Sequence, residues 1–356
     1  MSNVRLVALA LSLSAALAGC GPGTLVPSVT EPPNSAGSRA DFDAKVSLGV
    51  ELAALRGQNL VSVELLQRHQ PDEALLALAR ARKSVETIQS LGGANAQPEF
   101  AQLGRAIDDA IGRLRQADRS GAVTKALAMA GRAALGIESK FVGDTSERPA
   151  YRASVVSQLV FGAATGYVFA VARDPIDPEA YRIAYGALRE ADNIHEGLAT
   201  VVEEQSNDHA RAADILFAAM FEAMPASNPP SDLRPLAVSA AAYLMGVLLT
   251  DDRGALAPPA LDSALLPVPP QARLAFVAPL LEEALGAFES GEAGVADVLV
   301  EKTRASLCCP STSAGDALEA ELARLSSAIR SGAADSDISL LVEESSELAA
   351  DAAAGE

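Results

Sequence analysis

The chain has 356 residues, of which 49% are hydrophobic and only 4% aromatic, with no Trp. That much apolar content can form packed cores and argues against wholesale disorder; at roughly 100–200 residues per domain the length allows two or three domains. The 46 Asp and Glu outnumber the 28 Lys and Arg, for a net charge of −18, which argues against a nucleic-acid partner because phosphate recognition needs a basic surface. Ala and Leu are the leading helix formers, and their abundance predicts an all-α protein.

Residues 1–20 read MSNVRLVALALSLSAALAGC. Arg5 is the single basic residue ahead of an apolar run, Leu6 to Leu17, which has the length of a secretory h-region and is too short to span a membrane comfortably. The run ends in Leu17-Ala18-Gly19-Cys20. This segment resembles the lipobox of bacterial lipoproteins. The resemblance covers the signal alone. It implies removal of residues 1–19 as a signal peptide and acylation of Cys20, palmitate included, as a membrane anchor. With Gly rather than Asp at position 21 it also implies the outer membrane. Cleavage would remove Arg5 and leave a net charge of −19. Residues 20–40, rich in Pro, Ser and Gly, read as a flexible tether.

From Asp41 the pattern is helices and breakers. The first expected unit, residues 41–146, holds Phe42–Arg68, Pro71–Leu91 with Pro71 in the first turn, Glu99–Arg119 and Ala122–Phe141. The second, 147–257, starts after an acidic capping-box variant, Asp144-Thr145-Ser146-Glu147. It holds Pro149–Arg173, Pro178–Gln205 with Asp177 as N-cap, about Asp208–Ala223, and Asp232–Leu249 after Ser231. Residues 258–270 contain five prolines and read as a linker. An acidic helical unit, 271–356, follows with Gln271–Glu289, Ala293–Leu307, Asp316–Arg330 (capping box Ser313 and Asp316) and Asp337–Ala353. The expected fold is therefore about twelve helices in tandem antiparallel bundles or a helical-repeat-like array. Pro71-Asp72-Glu73-Ala74 matches Asp177-Pro178-Glu179-Ala180 at an offset of 106 residues, and Ile88 matches Ile194 at the same offset, which suggests a duplicated four-helix unit.

Three features carry competing readings. Ala153–Ala172 is uncharged, with a GxxxG pair at Gly162 and Gly166. It is long enough to cross a bilayer, but Ser154, Ser157, Gln158, Thr165 and Tyr167 dilute it, and it reads as a central bundle helix. Gln70-Pro71-Asp72-Glu73-Ala74-Leu75, with Ala79 and Ala81, resembles the tetratricopeptide repeat, which implies stacked helix pairs and an adaptor role. The large aromatic positions of that family are missing, and no 34-residue period persists. Third, residues 282–356 hold 16 acidic side chains against 4 basic ones. They read as a solvated face or as a docking surface for a basic partner or cations.

The chemistry-bearing residues are few. His195-Glu196-Gly197-Leu198-Ala199 begins like HExxH but ends in Ala, so the second zinc ligand is missing. On a continuous helix His195 and His209 would lie about 21 Å apart, and no Glu-x-x-His pairs recur as in ferritin-like proteins; no metal site is expected. Glu203, Glu204 and Asp208 form an acidic helix junction. The sequence has no G-x-S-x-G elbow, no S-x-x-K, no phosphate loop and no G-x-G-x-x-G. Cys308 and Cys309 are adjacent before Pro310, a possible vicinal disulfide in an oxidising compartment.

These observations predict a non-catalytic, lipid-anchored scaffold or binding protein of the cell envelope, with no cofactor and with an envelope protein as partner. The alternatives are capture of a small ligand or metal ion between helices, with Gly162, Gly166 and His195 as the candidate ligand-binding residues, and a tetratricopeptide-like adaptor.

Overall fold

The computed structural model describes residues 35–92, 97–116, 121–225, 233–249, 270–307 and 313–354. Cys20, the tether before Ser35, Cys308, Cys309 and all of the proline-rich linker except Pro270 lie outside them. The described residues are all-α with no strand. In chain order the helices are α1 Ser35–Gln67, α2 Pro71–Gly92, α3 Gln97–Arg115, α4 Ala122–Val142, α5 Pro149–Val171, α6 Pro178–Glu196, α7 Ala199–Gln205, α8 Asn207–Ala223, α9 Pro235–Leu249, α10 Pro270–Leu274, α11 Val277–Glu289, α12 Ala293–Leu307, α13 Ser313–Ser331 and α14 Asp335–Ala354.

Two compact units emerge where the sequence suggested three. One holds the described residues from Ser35 to Leu198, the other those from Ala199 to Ala354. In the first unit α1 packs on α2, α2 on α3, α3 on α4, and α4 back on α1, closing a four-helix ring. Leu78 of α2, Ala110 of α3 and Val123, Ala126 and Leu127 of α4 share a core with Val63 and Leu66 of α1. Each such large aliphatic side chain contributes about 1.5–3 kcal/mol by leaving water. Closure of the ring is unlike the open stacking that a tetratricopeptide resemblance implies. The hairpin α5–α6 then packs on α1, so α1 has helices on nearly every side. It runs for 33 residues, roughly 50 Å at the helical rise.

The second unit repeats the plan with the hairpin placed first. Helices α11 to α14 pack in sequence, and α14 returns to α11; α8 and α9 pack together and against α11 and α12. The ring core reads at helical spacing: Leu280, Leu281 and Ala284 on α11, Val295, Leu299 and Val300 on α12, Leu318, Leu322, Leu325 and Ile329 on α13, Ile338 and Val342 on α14. The expected second four-helix unit is thus divided, with α5–α6 in one unit and α8–α9 in the other, and the suggested duplication of a four-helix unit does not survive as a structural unit.

Several helix ends differ from the expectation for local reasons. Pro178–Gln205 is broken at Gly197-Leu198 into α6 and α7; the Gly197 and Leu198 amides both turn back onto the His195 carbonyl, at a glycine, among the weakest helix formers. Gln271–Glu289 is broken at Ala275-Phe276 into α10 and α11, because the ring of Pro279 excludes a helical carbonyl four residues earlier. The last helix of the hairpin starts at Pro235 rather than Asp232, since a residue preceding proline disfavours the α region. Asp144 to Glu147 forms a 3-10 turn, not a capping box; Arg148 is the extended residue before Pro149, and the Ser146 hydroxyl donates to the Gly143 carbonyl at 2.8 Å. The proposed cap at Ser313 is instead the first residue of α13. Asp177 does cap α6, accepting from the Glu179 and Ala180 amides at 3.1 Å each.

Schellman-type ends close three helices. Gly291 and Gly332 hold the left-handed position after α11 and α13, and His69, with φ 60°, holds it after α1. In each case the following amide reaches a carbonyl five residues back: Gln70 to Leu65 (2.9 Å), Glu292 to Ala287 (2.9 Å) and Ala333 to Ala328 (3.1 Å).

Helix α5 is the one described helix long and apolar enough to cross a membrane. It packs on α6 and α1 as a bundle helix, and Tyr151, Tyr167, Val156 and Val160 on it are buried. Four of the five tyrosines lie on this hairpin, Tyr151 and Tyr167 on α5 and Tyr181 and Tyr185 on α6; Tyr243 is on α9.

Candidate functional site

The site is built where α1 meets α4, α5 and α6. Three glycines bring these helices close. A methyl on Gly57 of α1 would overlap the Gly186 carbonyl of α6, so the two backbones touch; a methyl on Gly49 would overlap the Tyr151 hydroxyl of α5. Glycine is the residue that permits such approach. Around the crossing α1 carries a polar run, Arg56, Gln58, Asn59 and Ser62, where its neighbours are Leu52, Leu55, Val61 and Leu65.

Arg56 organises the run. Its Nε donates to Glu190 Oε1 at 2.5 Å, and its Nη1 donates to Glu138 Oε2 at 2.7 Å. The Tyr151 hydroxyl donates to Glu138 Oε1 at 2.9 Å. Four helices therefore meet in one charge-assisted network. The side chains of Arg56 and Glu138 are each 12% exposed and that of Glu190 is 6% exposed. Burial works against the Arg56 charge, but Glu190 and Glu138 outweigh it and hold its pKa above the usual arginine value. Burial raises the Glu190 carboxyl, opposed by Arg56 and by a hydrogen bond from Asn193. Burial, with the nearby Glu138 charge, pushes the Tyr151 phenol far above its ordinary range. The network is a brace of one guanidinium between two carboxyl groups, with a phenol on one of them, that joins four helices.

Two clefts flank the brace. One, of about 430 Å³, is walled by Leu60 and Val63 of α1, Leu127, Ala128 and Leu135 of α4, and Ile194 of α6, with Arg56, Asn59, Thr124, Glu190 and Asn193 as its polar lining residues. The other, of about 360 Å³, lies toward Tyr151, Arg152 and Glu147 and shares Arg56, Leu135, Asn193 and Ile194 with the first. Asn59 lines the larger cleft and is 6% exposed, yet neither its carbonyl oxygen nor its amide nitrogen has a partner among the described residues. A buried amide without a partner costs about 1–3 kcal/mol, so this residue is a liability to the fold as it stands.

The residues singled out from sequence are not gathered here. Gly162 is exposed with open space around it, and Gly166 faces the Ala184 side chain of α6, where a methyl would lie at 3.2 Å. Gly166 is thus a packing glycine of the α5–α6 hairpin. His195 is buried in the last turn of α6 and lines neither cleft. His209 falls in the other unit, in the first turn of α8. Among the described residues no three His, Cys, Asp or Glu side chains gather as metal ligands. Asp208 sits instead over the start of α12: a methyl on Gly294 would lie 2.5 Å from its Oδ2, a placement that suits the positive end of a helix.

No protein family, curated protein or solved structure matches the chain. Reasoning from sequence passed over the brace because the glycines of the α1–α6 crossing, Gly57 and Gly186, lie singly on two helices. A signal was present: an Arg-Gly-Gln-Asn run inside a helix that is otherwise apolar on most faces.

Proposed function

We propose that the protein is a lipid-anchored binding protein of the bacterial envelope, held at the outer membrane through acylated Cys20, and that its first unit takes a small, mostly apolar ligand in the cleft between α1, α4 and α6. The anchor rests on the lipobox resemblance of Leu17-Ala18-Gly19-Cys20. The observation that carries the binding role is the cleft itself: apolar walls of a size suited to one small molecule, bordered by Arg56 and Glu190 of the brace. The role is binding rather than catalysis, since each charged group of the brace is already engaged by another.

Native mass spectrometry of the full chain, extracted gently from its own membrane, tests both halves. Acylation at Cys20 and a stoichiometric small mass are expected. Ala128→Trp, which fills the cleft from its wall, should lose the small mass and keep the acyl chains. Unmodified Cys20 would remove the anchor from the reading, and a retained mass indifferent to Ala128→Trp would remove the cleft.

A second reading concerns the other unit. Residues 199–354 carry 24 acidic side chains against 8 basic ones, and this imbalance favours docking of a basic envelope protein in a scaffold role. Its test is salt-sensitive co-purification of a basic partner that is lost when residues 271–356 are charge-neutralised.

A further inference from the structure

The two clefts adjoin. Both are lined by Arg56, Leu135, Asn193 and Ile194, and Leu135 and Ile194 carry an apolar wall from one into the other. Together they form a groove along α4, whose lining residues run from Thr124 to Ser139, about 22 Å at the helical rise. At about 1.2 Å per bond of an extended chain, that is room for a long alkyl tail. Midway along the groove Gly131 has open space where a side chain would stand. The two ends differ. Near Thr124 the walls are Leu60, Val63 and Leu127. The other end holds Arg152, whose guanidinium is fixed in place: Nε donates to the Ser146 carbonyl at 3.2 Å and Nη2 to Glu147 Oε2 at 2.6 Å. Its Nη1 lies beside Gly197, 3.5 Å from where a methyl there would stand. Nη1 has no partner among the described residues and is open to solvent. The carboxylates of the groove are in the opposite condition. Glu138 and Glu190 are held by Arg56, with Tyr151 on the second oxygen of Glu138. Glu147 sits at the rim, 77% exposed, in the kind of pair that contributes little and opens readily.

We infer that this groove takes a fatty acid, its carboxylate on Arg152 Nη1 and its alkyl tail running past Leu135 and Ile194 toward Leu127 and Val63. This rests on the binding role proposed above and names the class of ligand. A guanidinium N–H donates and never accepts, and its natural complement is a carboxylate oxygen. The open polar atom at the end of the groove is therefore one that selects an acid. A cationic head would meet carboxylates that are already engaged. The tail in turn covers side chains that otherwise face water, Leu135 foremost, at 54% exposed. If Glu147 swings off Nη2, the carboxylate can span both terminal nitrogens of Arg152, the stronger two-point arrangement.

The test uses the full chain with Cys20→Ala, so that no acyl group of its own competes, and three radiolabelled probes with the same tail: dodecanoate, dodecanol and dodecyltrimethylammonium. Affinity is measured by equilibrium dialysis below the concentrations at which the probes form micelles. Location is read by hydrogen exchange in peptides of α1, α4 and α6. Dodecanoate is expected to bind about tenfold more tightly than dodecanol, as a charge-assisted hydrogen bond provides, and the ammonium most weakly. Arg152→Gln should abolish the preference for the acid and leave dodecanol binding unchanged. Glu147→Gln, at an exposed position, should tighten dodecanoate about threefold by releasing Nη2, again without effect on dodecanol. Gly131→Leu should melt higher without ligand, because Leu is the better helix former, and should weaken acid and alcohol alike by filling the groove. Equal binding of acid and alcohol, or a preference for the acid that persists in Arg152→Gln, overturns the inference while leaving an apolar-ligand cleft. Failure of all three probes to protect these helices, or binding indifferent to Gly131→Leu, overturns the groove and the inference together.

Discussion

The two units share a plan, a closed ring of four helices with one hairpin added, and differ in where their charge is placed. Residues 35–198 hold 20 acidic and 19 basic side chains, and residues 199–354 hold 24 and 8. The nearly neutral unit buries its most connected ion network at Arg56, Glu138 and Glu190. The acidic unit keeps its corresponding network at the surface: Arg330 donates to Asp297 at 2.7 Å and to Glu301 at 3.0 Å, with the Arg330 side chain 57% exposed. One helical architecture thus accommodates two electrostatic regimes. In the first, a few desolvated charges are coupled tightly and join four helices. In the second, many solvated charges repel one another weakly and are open to salt.

The largest expected effect breaks the buried network. Arg56→Met leaves two carboxylates facing each other without their cation, and should destabilise the first unit by about 3–5 kcal/mol. Hydrogen exchange read peptide by peptide should show α1, α4 and α6 opening while α11 to α14 keep their protection. Adding Glu138→Gln and Glu190→Gln should restore most of the loss; no restoration would mean that packing, not charge, holds the crossing. Gly57→Ala should cost about 1–3 kcal/mol, because overpacking pushes α1 and α6 apart, and the same peptides report it.

Charge in the second unit calls for gentler perturbations. Raising salt to about 0.5 M, where the screening length falls to a few ångström, should stabilise the second unit and leave the first nearly unchanged. Glu283 is a local instance: burial, then Glu222 and Glu282, raise its carboxyl, against the pull of Arg234. Between its unfolded pKa, near 4.5, and its higher folded one, the native state holds the extra proton, so stability falls as pH rises through that window. Glu283→Gln should therefore stabilise at pH 7 and lose its advantage below pH ~4.5, in paired melting curves. The smallest change is His69→Gly: relieving a left-handed φ on a side-chain-bearing residue should stabilise the first unit by about 0.5–1 kcal/mol. No change would show that the His69 side chain compensates for its backbone.

Much of this fold was legible in the sequence because helix ends are local. Pro71 and Asp177 mark the starts of α2 and α6 by backbone chemistry that needs no distant partner, and α12 runs Ala293–Leu307 as expected. The assignment of hairpins to rings was not legible. It depends on meetings such as Gly57 with Gly186 and Arg56 with Glu190, separated by more than a hundred residues in an Ala-rich chain where many helix faces look alike. The GxxxG pair drew the search to α5, where Gly166 does pack closely on Ala184, but the larger cleft lies between α1, α4 and α6. His195 was noticed as a rare residue, and rarity carried no information about position.

The uneven placement of tyrosine gives the molecule an optical asymmetry. With no Trp in the chain and four of five tyrosines on the α5–α6 hairpin, its tyrosine dichroism and tyrosine emission belong mostly to the first unit, with Tyr243 as the second unit's single phenol. Tyr151, Tyr181 and Tyr185 all resist ionisation, burial being the leading cause, so phenolate absorbance should appear late in an alkaline titration and together with the opening of that hairpin. The ring α11–α14 holds no Tyr, so tyrosine signals chiefly follow the first unit in the intact chain without an attached label.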